Sequence, residues 1–177
     1  MREADVKTHK DGSTPHDEEA LREESGAVSL ASVAKAPSAR LQPPGGEPPP
    51  VSVTMSSGES IALMPLAEEI CRRYRHEYPD EQERYGDAGQ AWCLHDNLYL
   101  LSWAVDDADG SPVMQTEVAW LARVLESRAF PLDRLARDLD IGADVVRHQL
   151  ASAFSGKIAR VLAQAATYVM SRDTFLD

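Results

Sequence analysis

No aromatic side chain occurs in the first 73 residues of this 177-residue chain. It nevertheless holds three Trp, five Tyr and three Phe, running from Tyr74 to Phe175. A segment without aromatics, and with few large aliphatics, buries too little apolar area to offset its ordering entropy. Seven of the eleven prolines lie in residues 1–57. Six of them fall in residues 37–50 with two glycines, a composition that favours extended polyproline II and a semi-rigid spacer. Residues 26–36 are a weakly apolar island, read as a transient helix. Residues 1–57 are therefore expected to be a disordered, Pro-rich, acidic tail, and residues 58–177 the folded unit. Met55 directly precedes Ser56-Ser57-Gly58-Glu59. It is expected to lie near an alternative start, with the tail as an accretion.

Other absences narrow the function classes. The two cysteines, Cys71 and Cys93, are too few for a disulfide framework, so reduced thiols in a cytoplasmic protein are expected. No run of 18 apolar residues exists, which excludes a spanning helix. The polar, acidic amino terminus has no apolar stretch behind a basic start, so no secretory signal is read there. Basic excess is missing throughout. Residues 1–57 hold six Lys/Arg against nine Asp/Glu, a balance of −3, and residues 58–177 hold twelve against twenty, a balance of −8. A negative field repels phosphate backbones and anionic lipid, which counts against nucleic-acid and membrane partners.

What is present is a helical period from residue 60 onward. Leu66, Ile70 and Tyr74 mark a helix over about 62–76, with Pro65 in its first turn. Residues 80–85 give one or two turns with acids at the amino end, where the helix dipole favours them. Trp92, Leu94, Leu98, Leu101 and Val105 mark an apolar helix over about 88–107. Ser111 reads as a cap and Pro112 as the first position of the next helix, which carries Met114, Val118, Leu121 and Leu125. A short helix is expected over about 131–139. A long one is expected over about 143–171, with Gly156 near its middle permitting a kink. No segment alternates at period two, so no sheet is expected. The predicted fold is all-α: a single domain of about five to six helices, globin-like or an orthogonal bundle, after the disordered tail.

The chemistry-bearing residues form no catalytic constellation, and no enzyme is predicted. Among His9, His16, His76, His95 and His148, no pair has the i, i+4 spacing of a helical zinc site, so no metal and no cofactor is assigned. Asp106-Asp107-Ala108-Asp109-Gly110 is similar to the start of a calcium loop, but the intermediate oxygen ligands are missing. Cys93 and His95, two residues apart on a helix, point to different faces and cannot pair.

Residues 132–150 resemble the helix-turn-helix pattern of bacterial DNA-binding domains, with Asp140 where glycine is usual in the turn. Arg147 and His148 are the DNA-contact candidates of that alternative, a transcriptional regulator.

A longer resemblance covers residues 70–146. Tyr78-Pro79, Arg84-Tyr85-Gly86-Asp87-Ala88-Gly89, Cys93, Asp96, Tyr99-Leu100-Leu101, Trp120-Leu121-Ala122-Arg123-Val124-Leu125, Ser127-Arg128 and Leu132-Asp133-Arg134-Leu135 follow one order. That order resembles the helical sensory domain at the amino end of bacterial cobalamin-binding and stress-signalling regulators. In that family Tyr-Pro, Tyr-Gly-x-x-Gly, Asp-x-x-Tyr-His-Leu and a Trp-bearing helix succeed one another. Leu100 stands where the family has His, and with the chain ending at Asp177 no cobalamin-binding output domain is expected. The resemblance implies a stand-alone, non-catalytic regulatory module that acts by association in a bacterial signalling pathway.

Candidate sites follow from these readings. Tyr85-Gly86 reads as a packed corner with Gly86 left-handed, with the border of a ligand pocket as the alternative. Asp96 lies on an apolar helix and requires a donor such as Arg84, Arg123 or a backbone amide. Trp92, His95, Asp96, Tyr99, Trp103 and Trp120 are the ligand-pocket candidates of a small-molecule or tetrapyrrole sensor. Ala151, Ile158, Ala159 and Ala166 give the last helix a second apolar side, the predicted homodimer interface. Arg72, Arg73 and Arg75 beside Glu68, Glu69 and Glu77 read as a solvated, self-paired face, with partner docking as the other use.

Overall fold

The computed structural model describes residues 41–176. Two short strands and five helices follow in order: β1 Ser52–Thr54, β2 Ser60–Ala62, α1 Met64–Glu77, α2 Asp80–Asp109, α3 Met114–Ser127, α4 Leu132–Gln149 and α5 Ser155–Met170. The all-α expectation holds. Residues 1–40, with most of the expected tail and its apolar island, lie outside the described residues.

The expectation of no sheet is corrected by one small hairpin. β1 and β2 pair antiparallel, with Ser52 opposite Ala62, Val53 opposite Ile61 and Thr54 opposite Ser60. Strands of three residues are shorter than the four to eight over which alternation is legible. Gly58, at φ +86°, turns the loop, and Met55 N–H donates to Glu59 O at 2.8 Å. Met55 and Ile61 are both buried in the core. The folded unit thus begins before residue 58, and Met55 is one of its core side chains. Asp109, at the end of α2, pins this hairpin. Its carboxylate accepts Ser56 N–H at 2.6 Å and Ser56 O–H at 2.7 Å.

In α1, Leu66, Ala67, Ile70, Cys71 and Tyr74 face inward at helical spacing. Pro79 separates α1 from α2, whose first turn carries Asp80, Glu81 and Glu83. The two helices expected over 80–107 form one element bent at Gly86, where φ is +59° and ψ is −152°. The positive φ was expected, but this ψ lies outside the left-handed helical region and in one that essentially only glycine occupies.

α3 starts at Met114, so Ser111 is not its cap and Pro112 precedes it. The carboxylate of Asp107 accepts the Met114 N–H at 3.2 Å instead. With Asp109 held by Ser56, two of the calcium-loop acids are engaged within the protein.

The largest correction concerns residues 131–171. α4 runs unbroken from Leu132 to Gln149, and the break falls at residues 150–154. The expected turn at 140–142 is helical because Ile141 and Gly142 are buried. A Cβ on Gly142 would sit 3.5 Å from Ile70 Cδ1 of α1 and 3.6 Å from Leu162 Cδ1 of α5. Tertiary packing holds an interior glycine that isolated propensity disfavours. Gly156 falls in the first turn of α5, so it kinks nothing.

Ile158, Ala159 and Ala166 are buried in the chain's own core. They line the inward side of α5, which packs extensively on α4. They present no surface to a second copy, and of the four interface candidates only Ala151 is exposed.

Candidate functional site

Between α1, α2, α3 and the first half of α4 lies a cavity of about 180 Å³. Its wall is mostly apolar: Leu100 from α2, Leu121 and Leu125 from α3, Leu135 from α4, and Phe130 from the α3–α4 connection. Tyr74, Tyr85 and Trp92 add aromatic faces, and Leu41 lies at its edge. The bend at Gly86 helps shape this wall. Tyr85 folds back so closely that a Cβ on Gly89 would approach Tyr85 Cβ to 2.5 Å, and Tyr85 lies 6.3 Å from Phe130, centroid to centroid.

Polar groups occur at defined points of the wall. Glu81 accepts from Tyr74 O–H at 3.2 Å and from Arg134, which also donates to Asp80 at 2.8 Å. The Arg134 guanidinium lies 4.6 Å from the centre of the Tyr78 ring. Arg128 sits over the Trp92 ring at 5.8 Å, while Trp92 N–H donates to Gln42 O at 2.6 Å and ties the segment before β1 to α2.

Asp138 of α4 differs from all of these. It is 9% exposed, it lines the cavity, and its Oδ1 has no hydrogen-bond partner. It is the one buried side-chain polar atom left in that state among the described residues. Burial pushes its carboxyl up to about 7; the Asn97 amide offsets part of that rise, and the negative charges of Asp96 and Glu81 add to it. A buried carboxyl oxygen without a partner is costly in a folded protein.

The predicted pocket residues divide. Trp92 and Asp96 line the cavity; His95, Tyr99, Trp103 and Trp120 do not. Residues 92, 95, 99 and 103 stack as a half-buried ladder along α2, with successive ring centres 5.0, 5.1 and 5.7 Å apart. Trp120 is 55% exposed on α3. Asp96 finds its donor in His95, at 3.0 Å, rather than in Arg84 or Arg123. Arg84 pairs with Asp80 at 3.6 Å and Arg123 donates to Phe175 O at 2.9 Å. Burial raises the Asp96 carboxyl, and His95 pulls it partly back.

The thiols of Cys71 and Cys93 are free and in contact, sulfur to sulfur 2.6 Å apart between α1 and α2. Contact with Cys71 and burial both push the Cys93 thiol up. The basic patch is self-paired in part, through Glu69, while Glu77 turns to Arg137 outside it. Glu69 accepts from both Arg72 and Arg73 at 2.7 Å, which lowers its carboxyl to about 2, and Glu77 accepts from Arg137 at 2.7 Å.

Arg147 donates to the Asp144 carboxylate at 2.8 Å, and His148 Nδ1 lies 2.7 Å from Asp144 O. Both are exposed on the last turn of a single helix, so the two-helix geometry that would carry them into a DNA groove is not formed.

The sequence reading missed Asp138, Tyr74, Arg128 and Arg134 as site residues, whereas Tyr85, weighed there as a pocket border, does line the cavity. One signal was available for Asp138: it follows Leu135 by three residues and precedes Val145 by seven, an acid on the apolar stripe of α4.

No family model matches the chain, and no curated protein or solved structure does either. Among the described residues, no group of His, Cys, Asp and Glu is placed to hold a metal, and no helix is long and apolar enough to cross a membrane.

Proposed function

We propose that this protein is a non-enzymatic regulatory module that senses a small, largely apolar molecule held in the cavity between α1, α2, α3 and α4. The observation that carries this reading is the cavity itself, about 180 Å³ within an apolar and aromatic wall that includes Asp138, a buried acid with one unpartnered oxygen. An apolar cavity of roughly 150 Å³ is enough to hold a benzene ring. An apolar wall with a few placed polar groups is the usual construction of a small-molecule site. The resemblance of residues 70–146 to bacterial sensory domains supports the regulatory role.

A tetrapyrrole is the weaker version of this reading. The cavity is small for a macrocycle, and its wall contains no histidine to serve as an axial ligand. A regulator using residues 132–150 on DNA is weaker still, because α4 is one rod. Association with a protein partner or a second copy remains part of the proposal, through a surface other than the buried side of α5.

Native mass spectrometry of protein purified from its own host tests the reading. A co-purified small molecule is expected on the natural chain and absent from Leu121→Trp, which fills the cavity. An adduct retained by a folded Leu121→Trp variant would place the ligand elsewhere.

A further inference from the structure

Four helices converge on Asp138, yet none of their donors reaches its Oδ1. Arg134, a cation of the wall, is one turn earlier on the same helix, and its guanidinium is spent on Asp80 and Glu81. Arg128 lies over the Trp92 ring instead. Asp96 is matched to His95, and Glu81 to Arg134 and Tyr74. Among the described residues only Asp138 has a buried side-chain oxygen with no hydrogen-bond partner, and it lines a mostly apolar space.

We infer that the cavity selects a small ammonium compound with an apolar body of about one ring, its N–H accepted by the Asp138 carboxylate. This rests on the cavity being a ligand site. A bare hydrocarbon would leave the carboxyl as unsatisfied as before. A carboxylate or phosphate would set like charge against Asp138, Asp96 and Glu81. An ammonium donates to the carboxylate, and the ring faces of Tyr74, Tyr85 and Trp92 offer the quadrupole that attracts organic cations. The apolar end of the ligand then packs against Leu100, Leu121 and Leu125.

The test uses three probes of similar shape on the full chain: toluene, benzyl alcohol and benzylamine, titrated at pH 7.5 and followed by amide chemical shifts. Benzylamine is expected to bind roughly 10- to 100-fold more tightly than toluene, the gain from one charged hydrogen bond. Benzyl alcohol should fall between them. In Asp138→Asn the amine advantage should disappear while toluene affinity persists. Equal binding of toluene and benzylamine to the natural chain would overturn the ammonium assignment and leave the cavity reading standing. Binding of none of the three would overturn both. The amine-to-toluene ratio in the natural chain needs no variant, so a poorly folded Asp138→Asn would not rescue the idea. Asp138→Leu, whose melting curve reports folding independently, supplies the second variant.

Discussion

Where α5 packs on α4, the buried residues are Val145, Val146, Ile158, Ala159 and Leu162, none with appreciable exposure. Where α1, α2 and α3 approach the other end of α4, the facing residues are Tyr74, Tyr85, Trp92 and Phe130, with Asp138 among them. Short aliphatic side chains let two helices close until no space remains. Rigid rings set around a carboxyl do not close in that way, because each ring fills a plane and the acid resists complete enclosure. One end of the bundle is thus built for cohesion, and the other keeps room at an energetic cost. A cost retained at one place in a fold points to use.

This contrast has measurable consequences. Truncation in the packed end should hurt most. Leu162→Ala is expected to lose about 2–5 kcal/mol in urea unfolding. Leu121→Ala in the cavity wall should fall at the low end of that range, because its side chain already borders space. Equal losses at the two positions would erase the distinction between the ends.

The Asp138 carboxyl makes the cavity end sensitive to pH. The folded state holds its proton to about 7, while the unfolded chain releases it near 3.8. Stability from this group is therefore complete below about pH 4, is lost as pH rises towards 7, and is flat above. At about 1.4 kcal/mol per unit the loss is on the order of 4 kcal/mol. Tyr74 of α1, Glu81, Cys93 and Asp96 of α2, Arg128 of α3 and Arg134 of α4 line the same cavity. They are common to the natural chain and to Asp138→Asn, so the difference between the two pH profiles isolates Asp138. Profiles that run parallel from pH 4.5 to 7.5 would contradict the placement of this acid.

Backbone strain follows in size. Gly86→Ala forces a Cβ into a conformation at φ +59° and ψ −152°, and should cost about 1–3 kcal/mol. The same change should weaken probe binding, because the bend aims Tyr85 at the cavity. Gly142→Ala, at the packed end, should do the reverse. The space there admits a methyl group at ordinary contact distances, so about 0.5–1 kcal/mol of stability is expected from helix propensity, read by thermal melting. The smallest effect is chemical. Cys71 is buried and the Cys93 thiol is pushed up, so iodoacetamide should label both only after unfolding, as followed by mass spectrometry.

Much of the helical order was legible before the structure, because Leu66, Ile70 and Tyr74, or Met114, Val118, Leu121 and Leu125, repeat at one-turn spacing. The misreadings share a cause. Asp140-Ile141-Gly142 has the local character of a turn, yet Ile70 and Leu162 press it into a helix. Ile158, Ala159 and Ala166 looked like a surplus apolar side, but α5 is buried more broadly than its strongest stripe suggested. Of the site, Trp92 and Asp96 were found through the apolar character of α2. Asp138 was passed over because one acid in a stripe is a weak signal, and only its surroundings show whether it is paired.

Residue pattern alone decided that this chain forms helices, roughly how many, and which side of each is greasy, since period and capping are properties of neighbours in the chain. Only the folded arrangement decided that α4 continues through Gly142, that Met55 belongs to the core, and that four helices stop short of one another around Asp138. Those features depend on which distant side chains meet, and contact across the bundle outweighs local preference wherever the two disagree.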